Sequence, residues 1–139
     1  MGAATVIAAL SIAAADLKVK DVMREIAADK VIYNKGFAAN RFERSPKAVA
    51  CVSAAMTAVF LLTAARGRAG GETGAHKAGQ GPGDAFILGG ALSNTYERIV
   101  HGKVTDYIPL GRYVYNIADL AIYAGCVLKL LPFLFKHKN

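Results

Sequence analysis

The sequence predicts an all-α membrane protein of four transmembrane helices, with a small β and loop segment after the first helix. Three observations carry this. The 139-residue chain is 54% hydrophobic and 19% charged, against roughly 45 to 50% apolar residues in soluble domains. Its mean hydropathy is positive, at +0.31. Its apolar residues gather into four runs separated by polar or glycine-rich stretches. A chain of this length makes one domain, so residues 1–139 are expected to form a single integral-membrane unit, with spans at about 2–23, 48–65, 85–100 and 113–135.

The first run, residues 1–15, is Ala-rich and uncharged, and no basic residue precedes it as in a cleaved secretory leader. Crossing a bilayer takes roughly twenty residues, so the helix is expected to continue through Asp16, Leu17, Val19 and Val22 with its lysines snorkelling. Residues 24–47 are mixed and charged. The alternation at Val31-Ile32-Tyr33 predicts a strand, and Gly36 a turn. Residues 48–65 carry no charge and are the clearest span. Residues 66–84 hold seven glycines and Pro82 and predict a loop. The run 85–100 carries Asn94, Glu97 and Arg98 toward its end, with Asn94 and Arg98 on one helix face. The last span starts with Asn116 and Asp119, again on one face, and tolerates Lys129 and Pro132 near its end.

Several function classes lose support at once. The net charge of +7 does not come with aromatics interleaved among the basic residues, so no nucleic-acid surface is expected, and anionic membrane lipids are the expected partner of the charge. Cys51 and Cys126 sit in apolar runs without a second ligand at metal spacing and read as small core hydrophobes. With the histidines scattered and no Gly-x-Ser-x-Gly or Cys/His pairing, neither a metal, a cofactor nor a covalent nucleophile is expected.

What remains is acidic. Asp106 and Asp119 stand in or beside apolar sequence, where a carboxylate costs about 2.5 kcal/mol or more at a bilayer centre and marks a functional candidate. They are thirteen residues apart, and Pro109 and Gly111 break any helix between them, so a chain reversal is needed to bring them together. Two facing carboxylates share a proton, one taking a proton from water while the other protonates a carbonyl oxygen.

The stretches Gly-Gly-Ala-Leu-Ser-Asn-Thr-Tyr-Glu-Arg (89–98), His-Gly-Lys-Val-Thr-Asp-Tyr-Ile (101–108) and Tyr-Asn-Ile-Ala-Asp-Leu-Ala-Ile (115–122) resemble the paired signatures of lipoprotein signal peptidase (signal peptidase II), roughly GGALGNxxDRxxxGxVxDF and FNxADxxI. Glu97 stands where the family usually has Asp, and Tyr115 where it usually has Phe. The resemblance implies an intramembrane aspartic endopeptidase with Asp106 and Asp119 as catalytic dyad and Asn94, Glu97, Arg98 and Asn116 in support. Asp16-Leu17-Lys18-Val19-Lys20 is a loose version of a DQxxK-type motif, leaving Asp16 either an interfacial acid or part of the site. Asn34-Lys35-Gly36-Phe37-Ala38-Ala39-Asn40 partly matches an Asn-x-Gly-Ala-Ala-Phe motif on a small extracytoplasmic sheet, so Asn34 and Gly36 join the candidates.

The implied substrate is a diacylglyceryl-modified prolipoprotein cut before the lipidated cysteine, with no cofactor, in the bacterial cell membrane. Both termini are then cytoplasmic and the dyad lies near the outer face. The positive-inside rule weighs the other way, because eight Lys/Arg lie between Lys18 and Lys47 and only Arg66, Arg68 and Lys77 in the middle loop. The alternatives are a catalytically degenerate membrane adaptor of the same fold, a small multi-span transporter with the aspartates as ion ligands, and, more remotely, a soluble helical binding module.

Overall fold

A computed structural model describes residues 1–36, 45–69 and 81–135, apart from the side chains of 65–69 and 132–135. Residues 70–80 of the expected glycine-rich loop (66–84) and the Phe37–Asn40 part of the asparagine motif lie outside the described residues. Four α helices account for most of the chain: α1 (Ala3–Ile26), α2 (Pro46–Ala69), α3 (Pro82–His101) and α4 (Ile117–Phe135). Each tracks one apolar run, with every end within four residues of the one expected.

Buried residues recur at helical spacing. On α1 they are Thr5, Ala9, Ala13, Asp16 and Lys20, a single stripe, and all of it faces inward. Prolines open α2 and α3 at the first helical position, where their missing N–H costs nothing. The Asp84 carboxylate also accepts the Gly81 N–H at 3.2 Å, and Gly102, in the left-handed conformation at φ 67°, ends α3.

The helix α3 is central, and each of the other three packs against it. Glycines permit the contact. A Cβ on Gly89 would meet Ala9 O at 2.8 Å, and one on Gly90 would run into the Ala118 carbonyl, so backbones approach as they do between helices in lipid. Gly90→Ala is therefore expected to destabilise the protein by about 1 to 3 kcal/mol through overpacking, read as lowered thermal stability in detergent. Unchanged stability would mean that α4 moves aside freely.

The polarity of the fold is inverted relative to a soluble core. Most of its buried hydrophobic residues are alanines, as at Ala9, Ala85, Ala118 and Ala121, whereas Ile7, Leu10, Met56, Leu62, Val127 and Leu130 are exposed. Buried polar and charged groups fill the interior, the distribution suited to helices solvated by hydrocarbon. The same inversion corrects the expectation for Cys51 and Cys126, which are exposed: an apolar run in such a fold has an outward apolar face. Among the described residues, Pro46–Ala64, with mean hydropathy 1.8, is the one stretch long and apolar enough to cross a membrane by length and composition.

Four short strands join the helices. The expected strand is β1 (Ile32–Asn34), which pairs antiparallel with β2 (Val104–Asp106), placing Ile32 opposite Asp106 and Asn34 opposite Val104. A hairpin follows, β3 (Ile108–Leu110) with β4 (Tyr113–Tyr115). Its two-residue loop begins at Gly111, φ 65°, the positive φ that tight hairpin turns demand. Residues 113–115 are thus strand, and α4 starts four residues later than the expected span.

Candidate active site

The two ends of this connection carry the two aspartates. Asp106 is the last residue of β2, and Asp119 lies in the first turn of α4. Asn116, just before α4, accepts the Asp119 N–H on its Oδ1 at 2.9 Å, while the Asp119 carboxylate accepts the Asn116 N–H at 3.3 Å, a reciprocal helix cap. The same Asn116 donates from Nδ2 to Asp106 Oδ1 at 2.6 Å. One amide therefore ties both aspartates together.

Each carboxylate has a second asparagine. Asn34 of β1 donates to Asp106 Oδ2 at 3.2 Å, and Asn94 of α3 donates to Asp119 Oδ1 at 2.8 Å. Gly36 follows in a turn closed by its N–H on Asn34 Oδ1 at 3.0 Å, the Asx geometry, and its carbonyl accepts from Arg98 Nη2 at 3.2 Å. Asp106, Asp119, Asn34, Asn94 and Arg98 line one cleft of about 510 Å³, whose other walls include Met56, Phe60, Ile87, Ile122 and Tyr123. Burial, and then the charge of Asp119, push the Asp106 carboxyl up to about 6. That is the behaviour of two carboxylates that do not both ionise readily.

Behind the cleft is a buried ionic set. Lys20 is fully buried and lies 2.8 Å from Asp16 and 3.0 Å from Glu97. It also donates to Asn94 Oδ1 at 2.9 Å, which turns the amide nitrogen of Asn94 toward Asp119. Glu97 accepts from Arg24 at 2.6 Å and from both the N–H and the hydroxyl of Thr105, at 2.9 and 2.8 Å. Asp16 accepts the Ala118 N–H at 3.0 Å and the Ser93 hydroxyl.

One expectation is corrected here. Lys20 does not snorkel, because two buried carboxylates hold it. Asp16, left open between an interfacial acid and part of the site, is fully buried and accepts the Ala118 N–H in the first turn of α4. Lys129 pairs with Asp84 at 2.5 Å. Glu97 is paired with Lys20 of the neighbouring helix α1. The sequence did not reveal the buried pairing of Lys20 and Arg24 or the contacts of Thr105 and Tyr107. The 16/20/24 spacing, four residues each time, was the available signal for the first two, and Tyr107 stands where the resembled signature has Phe.

Among the described residues, no three of His, Cys, Asp and Glu gather as a metal site. A coupled carboxylate pair, oriented by asparagines within a cleft that is polar on one side and apolar on the other, has the parts an aspartic peptidase needs, set in a fold with a membrane protein's polarity.

Comparison with known proteins agrees with this class. The model of the signal peptidase (SPase) II family matches residues 5–135, and the chain belongs to that family. A lipoprotein signal peptidase of Alteromonas mediterranea is 47% identical over 58 residues, 38% of this chain and 31% of the relative. One of Listeria monocytogenes is 44% identical over 52 residues, 34% of each chain, and one of Yersinia pseudotuberculosis 45% over 51 residues, 32% of this chain and 29% of the relative. The chain thus spans about a third of the length of the curated relatives it matches. A solved bacterial membrane enzyme, determined by the in meso method at 2.3 Å resolution, has the same fold, with a TM-score of 0.73 over 98% of this chain and 90% of that one, at 17% identity.

Proposed function

We propose that this protein is an intramembrane aspartic endopeptidase that removes signal peptides from diacylglyceryl-modified prolipoproteins by cutting before the lipidated cysteine. The observation that carries the reading is the lining of one cleft by Asp106 and Asp119, with Asn116 bonded to both. The pair shares one proton. Its ionised member takes a proton from water as the water oxygen attacks the scissile carbonyl carbon, and its protonated member gives a proton to the carbonyl oxygen. Return of a proton to the amide nitrogen then lets the C–N bond break. Asn34, Asn94 and Asn116 orient the carboxylates, Arg98 braces the Gly36 turn beside them, and Glu97 and Asp16 hold the framework behind.

The chain acts as one domain in the bacterial cell membrane, with four crossings and the cleft near the extracytoplasmic face. Anionic lipid meets its basic surface. The apolar wall at Met56, Phe60, Ile87 and Ile122 suits a signal peptide lying in hydrocarbon, and the substrate's own acyl chains set its depth, which lowers the orientation cost of docking.

The test is incubation of purified protein with a diacylglyceryl-modified prolipoprotein and, in parallel, an unlipidated copy. Cleavage of the lipidated form alone is expected. Equal cleavage of both would remove the lipid from recognition, and cleavage of neither would leave a family member without this activity.

A further inference from the structure

The first turn of α4 begins inside the protein, and its leading N–H groups are met by side chains from three parts of the chain. Ile117 N–H reaches the Tyr107 hydroxyl oxygen at 3.4 Å, Ala118 N–H reaches Asp16 Oδ1 at 3.0 Å, and Asp119 N–H reaches Asn116 Oδ1 at 2.9 Å. Donors at a helix start have no partner within the helix, so these contacts decide how firmly the turn is held. We infer that Tyr107 is a positioning residue whose hydroxyl holds the first turn of α4 to the end of β2 and so fixes the Asp119 carboxylate relative to Asp106.

The chemistry of the hydroxyl suits the role. It accepts from Ile117 N–H, one half of its capacity. Burial and the nearby Asp16 charge hold it protonated, with its pKa pushed up to about 12, so it remains a donor throughout the physiological range. Tyr107 is also the residue after Asp106, and its own N–H bonds the Tyr115 carbonyl at 2.9 Å. A single residue therefore joins the strand that carries one aspartate to the helix that carries the other. Phenylalanine would keep the ring and lose the hydroxyl's bond to Ile117 N–H.

The inference rests on the pair being the working site, and Tyr107→Phe tests the two separately. Hydrogen exchange over residues 116–120, measured on the full chain in detergent, is expected to quicken by about three- to tenfold, the effect of roughly one net hydrogen bond. With lipidated prolipoprotein, kcat should fall by a similar factor while KM stays constant, because substrate contacts are untouched. The alkaline limb of the pH profile should also move to lower pH, since carboxylates that drift apart repel less and give up their shared proton more easily. Arg98, Lys20, Glu97 and Asp16 also face the pair, and all remain in the variant. Partial misfolding would scale the rate without moving that limb. Unchanged exchange in the variant overturns the inference, whatever the activity; so does an unchanged kcat and limb in an active enzyme. If the wild type cleaves nothing, the functional reading falls while exchange still decides the tie.

Discussion

Asp106→Asn and Asp119→Asn are each expected to reduce prolipoprotein cleavage by about 10⁴-fold or more, and the double variant should be little worse than either, because residues acting as a unit lose their effect together. Each change leaves the pair unable to both give and take a proton. Wild-type rates should trace a bell in pH whose limbs belong to the pair. Stability supplies an independent sign. The Asp106 carboxyl is raised from 3.8 to about 6, so the folded state binds this proton more tightly than the unfolded chain. For a raised acid, the contribution to stability is unfavourable once the proton is lost: it is absent below about pH 4 and grows as pH rises toward 6. Thermal stability of the wild type should therefore fall relative to Asp106→Asn across that window. Turnover by either single variant within about tenfold of the wild type, measured on folded protein, would take that residue out of the catalytic role.

The carboxylates were legible because charge in an apolar setting is costly and so conspicuous, and the surrounding signatures give their spacing. The helices were legible from their apolar runs. Of the strands only β1 was: β2 directly follows the polar end of α3, Pro109 lies inside β3, and β4 falls within the apolar run expected as the last span. The start of α4 was missed for a related reason, since Tyr113-Val114-Tyr115 is as apolar as a helix end. The better signal was Asn116 followed three residues later by an acid, a capping pattern. Lys20 was misread because sequence offers two fates for a lysine in a membrane helix, snorkelling or pairing, and only packing chooses between them. Here α3 brings Glu97 and Asn94 onto the stripe of α1 that already carries Asp16.

That choice makes Lys20→Met the variant with the largest expected effect on stability. Methionine reproduces the apolar stem but removes the charge between Asp16 and Glu97, two carboxylates that are themselves fully buried. Glu97 retains Arg24 and Thr105, whereas Asp16 keeps only uncharged donors such as Ser93 and the Ala118 N–H. Breaking a buried pair by removing one partner costs about 3 to 5 kcal/mol, since the remaining charge is stranded. Asn94 also loses the ammonium that fixes its amide toward Asp119, so activity measured on the folded fraction should fall as well. Lys20→Met combined with Asp16→Asn should recover much of the loss, because the amide oxygen still accepts a donor while the stranded charge is gone. The coupling between the two sites, read from a double-mutant cycle of unfolding free energies in detergent, is expected to exceed about 1 kcal/mol. If Lys20→Met alone costs less than about 1 kcal/mol, or the two changes simply add, the buried ion pair does not hold the frame behind the cleft.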